Sequence, residues 1–160
     1  MVPYAGFWRR FVAALIDGII LQVALSMVMS VFGMGASFAN FADPAFAEAA
    51  GVGAVLSVIG FSFVGQWLYY ALMESSGLQA TVGKLAMGVI VTDEHGNRVS
   101  FLRATGRYFA KILSSIILMI GYIMAAFTER KQALHDMLAS TLVYKTRDPG
   151  SVRSTAGVFD

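Results

Sequence analysis

The chain has 160 residues, of which 57% are hydrophobic and only 14% charged, with a net charge of +2 and no cysteine. Soluble domains carry roughly a quarter of charged residues, so this composition and a mean hydropathy of +0.66 point to a membrane protein. The absence of cysteine excludes disulfides, iron–sulfur clusters and thiolate metal sites, no other cofactor is implied, and so small a charge offers no nucleic-acid footprint.

The first predicted element is a membrane helix over about residues 8–32. It opens with Arg9-Arg10 and continues through the 22 apolar residues 11–32, whose one ionisable group is Asp17. In helical form such a run is roughly 33 Å long, against a bilayer core of roughly 30 Å. A cleaved signal peptide fits less well, because the run is too long and carries Asp17. A carboxylate inside a spanning helix costs about 2.5 to 3.5 kcal/mol, which marks Asp17 as a candidate functional residue. Ala14, Gly18, Gln22, Ser26 and Ser30 form a small and polar seam for helix packing.

Residues 33–51 hold two acids, Asp43 and Glu48, and no Lys or Arg. A second span follows over 52–73, with Gly53, Gly60, Ser62 and Gly65 allowing close helix approach and Trp67, Tyr69 and Tyr70 suited to the headgroup level. The stretch from Gly77 to Lys84 superficially resembles a phosphate loop, but its glycine spacing is one too long and Leu85 stands where Ser or Thr is required.

A short cytoplasmic β-hairpin is predicted over about 86–102: Met87 to Thr92 as one strand, a turn at Asp93 to Asn97, and a return at Val99 to Phe101. Arg103, Arg107 and Lys111 then recur every four residues, so they share one face of a helix predicted over 107–127. They serve either as phospholipid contacts or as counter-ions to buried acids. The apolar part, 112–127, has 16 residues and contains Gly121; at roughly 24 Å it is marginal for a straight crossing.

Loop charges orient the chain. Arg9 and Arg10, and the loop bearing Lys84, Arg98, Arg103 and Arg107, belong in the cytoplasm, and the loop 33–51 belongs outside. Arg130, Lys131, Lys145, Arg147 and Arg153 also ask for the cytoplasm, which three crossings would deny them, so 112–127 is either a third crossing or a re-entrant segment. The reading adopted is an all-α bundle of about three transmembrane helices forming one membrane domain over 6–145, with a flexible tail over 146–160 punctuated by Pro149 and Gly150.

His95 and His135 are the only histidines, so no dedicated metal site is expected, and Ser114-Ser115 lacks a neighbouring base. Arg10 and Asp17 lie seven residues apart, roughly 10 Å along a helix, beyond the pairs that interact on one helix. Asp17 therefore needs a partner on another helix, for which Arg103, Arg107 and Lys111 are the candidates.

The segments FWRRFVAALIDGIIL, TVGKLAMGVIVTDEHGNRVSF, FLRATGRYFAK and RKQALHDMLASTLV resemble the RDD family of bacterial membrane proteins, named for one Arg and two Asp. The resemblance covers Gly6 to Tyr144 and assigns the Arg to Arg10, the first Asp to Asp17 and the second to Asp136. It implies a multi-pass protein of the bacterial inner membrane; transport is suspected for the family, and some members have been linked to sodium/proton exchange. Two functions follow as expectations. The chain exchanges a small cation or proton through Asp17 and Asp136, or it is a noncatalytic membrane subunit whose Arg and Asp residues form a structural network. An enzyme is not expected. The expected partners are the lipid bilayer and further copies of the chain or a larger membrane complex.

Overall fold

The computed structural model describes residues 2–31, 43–116 and 128–156. Its helices and strands, in chain order, are α1 (Phe7–Val31), α2 (Pro44–Ser75), α3 (Val82–Ala86), β1 (Ile90–Asp93), α4 (Phe101–Ile116), α5 (Leu134–Leu138), β2 (Thr141–Tyr144) and α6 (Pro149–Ala156). They fall into two compact units, Gly18–Leu68 and the remainder, Met1–Asp17 with Tyr69–Asp160.

The unit Gly18–Leu68 contains the apolar parts of α1 and α2. Phe7–Val31 and Gly51–Ser75 are each 25 residues long and apolar enough to cross a membrane. Only 11% and 12% of their apolar windows is buried within the protein, so they are not the core helices of a soluble fold. Ile19, Val23, Met27, Val52 and Leu56 are all about half or more exposed, as lipid-facing side chains are. The hydroxyls of Ser26, Ser30, Ser57 and Ser62 each donate to the carbonyl four residues earlier, so they carry no unmet polar demand into an apolar medium. α2 breaks at Gly51, whose φ of 72° and ψ of 156° lie outside the helical region.

The other unit is built around a two-stranded antiparallel sheet. β1 pairs with β2, in register from Ile90 opposite Tyr144 to Asp93 opposite Thr141. Val89, Ile90, Val91, Leu142 and Val143 are buried, and Val152 of α6 packs with Ile90 and Ala80. The N-terminal segment joins this sheet: the Ala5 amide donates to Val143 O at 2.8 Å and the Lys145 amide to Pro3 O at 2.8 Å.

The sheet corrects the predicted hairpin over 86–102. The turn is present, with the Asp93 carboxylate accepting from the His95 and Asn97 amides at 2.9 and 2.8 Å, and Gly96 in the left-handed region. The return strand is absent, because Phe101 already opens α4 and the Ala104 amide donates to Ser100 O. β1 takes instead Thr141–Tyr144, a strand nearly fifty residues away that lets both strands bury three residues each.

Within the predicted tail, residues 149–156 form a helix. Pro149 opens α6, where its missing N–H costs nothing, the Asp148 carboxylate accepts from the Gly150 amide at 2.9 Å, and Val152 anchors the helix in the core. α4 begins at Phe101, not 107, and ends among the described residues at Ile116. Residues 117–127, which carry most of the predicted third crossing, lie outside the described residues, as does most of the loop 33–51. Two helices suited to crossing are present among the described residues, and the predicted third falls mostly outside them.

Candidate functional site

The site lies wholly within the unit that holds the sheet, and α1 supplies its first two charges. Asp17, 1% exposed, is held by donors from other elements. The Gly83 amide and the Tyr69 hydroxyl each donate to Oδ1 at 2.8 Å, and the Thr81 hydroxyl donates to Oδ2 at 2.5 Å. The Tyr69 oxygen in turn accepts from the Val82 amide at 3.0 Å. Thr81, the residue before α3, makes no cap of its own. Asp17 does that work from a distant helix, placing its negative charge against unsatisfied amides at a helix start. All three donors are neutral, so the expected pairing of Asp17 with Arg103, Arg107 or Lys111 is corrected.

Those same contacts explain the segment that superficially resembled a phosphate loop. A Cβ at Gly83 would run into the Ala13 carbonyl oxygen and stand 2.9 Å from Asp17 Cγ. The glycine is there so that α3 can reach α1.

The other charges form a chain of alternating sign. Asp136, fully buried, receives Arg10 on Oδ2 and, on Oδ1, Arg107 Nε at 3.0 Å and Arg107 Nη2. Its Oδ2 also accepts from the Ala133 amide at 3.1 Å, which caps α5. Arg107 extends the chain through Nη1 to Glu74 Oε2 at 2.6 Å, and Lys84 bonds the other Glu74 oxygen. The order is therefore Arg10, Asp136, Arg107, Glu74, Lys84, with three cations interleaved by two carboxylates. The remaining Arg10 nitrogens donate to the Ala5 and Lys131 carbonyls.

Burial alone pushes the Asp136 carboxyl up, but Arg107 and Arg10 outweigh it and hold the group well below the usual carboxylate range. For neighbouring His135 burial wins: its Nε2 lies 3.4 Å from Asp136 Oδ1, yet the imidazole is pushed down to about 3 and is neutral near pH 7. Burial likewise lowers Lys84, against the opposing pull of Glu74.

The sequence candidates thus separate. Arg10, Asp136 and Arg107 meet directly, and Asp17 occupies its own polar pocket beside them. Lys111 is partly buried with its ammonium 4.1 Å from the centre of the Tyr70 ring, and it makes no ion pair among the described residues. Arg103 stands apart; its side chain is 44% exposed and lies 3.9 Å from Asp93. Glu74, Lys84, Tyr69 and Thr81 were not singled out as site residues from sequence. Glu74 had a legible signal, being an acid set directly against the end of an apolar run.

Residues 4–140 match the RDD family model. The chain belongs to the RDD family. Its relatives include the uncharacterized protein YxaI of Bacillus subtilis (strain 168), 43% identical over 148 residues, covering 88% of this chain and 97% of that one. Another, the uncharacterized membrane protein YteJ of the same organism, is 29% identical over 150 residues, covering 88% and 80%. No solved structure matches. With two exposed apolar helices and this kinship, the RDD chain is a membrane protein. Among its described residues no group of three His, Asp or Glu is arranged to hold a metal ion.

Proposed function

We propose that this chain is a noncatalytic membrane subunit in which the Arg and Asp residues are a structural lock, and not the carrier of a cation. The observation that supports this most is saturation. Asp17 accepts from three donors, Asp136 from two guanidinium groups and an amide, and Glu74 from Arg107 and Lys84. A carrier carboxylate must release its partner to take up an ion or a proton. Here release would strand buried Arg107 or an amide at a helix start, and breaking a buried pair costs about 3 to 5 kcal/mol.

On this reading the network ties the first turns of α1 to the sheet within one unit, with the N-terminus inside, as the basic residues favour. The chain works as part of a homo-oligomer or larger complex in a bacterial inner membrane. Arg10→Met and Asp136→Leu should each lower the amount of chain accumulating in the membrane, and Asp136→Leu should lower it more, because it strands Arg107 Nε and Nη2 and the Ala133 amide as well as Arg10. Undiminished accumulation of Asp136→Leu alone would overturn the reading.

A further inference from the structure

A small cleft of about 40 Å³, partly open to solvent, adjoins the charge network. Arg10, Lys84, Arg107 and Lys111 line it against two carboxylates, Asp17 and Glu74. Both carboxylates are engaged as described, and the two arginines spend their donors on Asp136, Glu74 and backbone carbonyls. Among the described residues two ammonium groups keep donors to spare: Lys84 bonds Glu74, and Lys111 has the face of Tyr70. The two lysines line the same cleft, where their like charges repel. An anion between them would relieve that repulsion and complete both hydrogen-bonding shells.

Apart from His135, the rest of the wall is apolar and aromatic, chiefly from Phe7, Phe11, Ala14, Tyr70 and Tyr108. Outside it, α4 turns its apolar side outward: Leu102, Phe109 and Leu113 are exposed while Ala104, Arg107 and Tyr108 point inward. Trp8, Phe11 and Leu15 on α1 are exposed too. A helix with a buried polar face and an exposed apolar face suits the edge of a bilayer. An anion entering here would therefore arrive with an apolar body attached.

We propose that this cleft binds the phosphate group of an anionic amphiphile, between Lys84 and Lys111, with the apolar part of the ligand against Phe7, Phe11 and Tyr108. The headgroup chemistry is shared by a membrane phospholipid and by free phosphate; the apolar wall selects the lipid.

The test uses the full chain purified in neutral detergent and titrated with short-chain phosphatidylglycerol, short-chain phosphatidylcholine and inorganic phosphate, with binding read by calorimetry. Phosphatidylglycerol should bind and raise the unfolding temperature; phosphatidylcholine and inorganic phosphate should bind about ten-fold more weakly or less. Lys111→Gln should weaken phosphatidylglycerol about ten-fold, Lys111→Arg should retain it, and Arg103→Gln, outside the cleft, should leave it unchanged. Equal binding of the two lipids, or full binding by Lys111→Gln, would overturn the proposal. Tight binding of inorganic phosphate alone would overturn the amphiphile and leave a soluble anion as the ligand. If Lys111→Gln does not fold, the comparison of the three ligands on the unaltered chain decides.

Discussion

Asp17 and Gly83 meet across 66 residues of chain, with the glycine amide donating to the carboxylate at 2.8 Å and no room for a Cβ between α3 and α1. This sets local and tertiary preferences against each other. Alanine is favoured over glycine inside a helix by about 1 kcal/mol. The clash with the Ala13 carbonyl is with backbone and cannot be relieved by a rotamer change. Gly83→Ala should therefore destabilise the chain, by about 1 to 3 kcal/mol in denaturant unfolding. A stabilised variant would mean that α3 does not approach α1 this closely.

Asp17 itself should be graded by its acceptors. Asp17→Asn keeps an oxygen for Gly83 and Tyr69, and the Thr81 hydroxyl can turn to accept, so the loss should be about 1 to 2 kcal/mol. Asp17→Leu leaves three donors without an acceptor and should cost about 3 kcal/mol or more. Because no basic side chain among the described residues bonds Asp17, removing a nearby Arg or Lys charge should not rescue either variant. Rescue of Asp17→Asn by Arg107→Gln would place a cation on Asp17 after all.

Arg10 and Asp136 should show strong coupling. The separate and joint replacements Arg10→Met and Asp136→Asn, measured by thermal or denaturant unfolding, should depart from additivity by about 1 to 3 kcal/mol, whereas Arg103→Gln with Asp136→Asn should be additive within about 0.5 kcal/mol. Additive behaviour of the first pair would remove Arg10 from the network.

Acid should destabilise the chain in two stages. His135 is neutral when folded down to about pH 3, but in the unfolded chain it takes up a proton below about pH 6.5. The unfolded state then binds the extra proton, so stability present above that pH falls by about 1.4 kcal/mol per pH unit between roughly pH 6 and 4. Asp136, held below its ordinary range, adds a second loss that begins only below about pH 4, as the unfolded carboxylate protonates. His135→Phe should abolish the first stage and keep the second. An unchanged slope between pH 6 and 4 in that variant would contradict the buried neutral imidazole.

Much of this was legible in the sequence where the signal is local. The apolar runs that became α1 and the membrane part of α2 were visible because hydropathy adds along consecutive residues. Asp17 stood out as the one acid in its apolar run, Arg10 and Asp136 came from motif resemblance, and Arg107 from its helical spacing. Pairing was not legible. The donors to Asp17 are a backbone amide and two hydroxyls, 52 to 66 residues away, and none has a charge that announces it. The turn at Asp93–Asn97 was read correctly, but turn residues do not say which strand lies opposite, and Thr141–Tyr144 took that place. Glu74 and Lys84 looked like the edge of a span and a failed phosphate loop until the fold brought them together.

Ion flux in sealed liposomes tests most directly the claim that these carboxylates are structural. The purified chain, reconstituted and challenged with opposing sodium and proton gradients, should show no flux beyond that of protein-free liposomes. Flux above that level, lost in an Asp17→Asn or Asp136→Asn variant that is still folded and inserted, would contradict the account and make the carboxylates carriers.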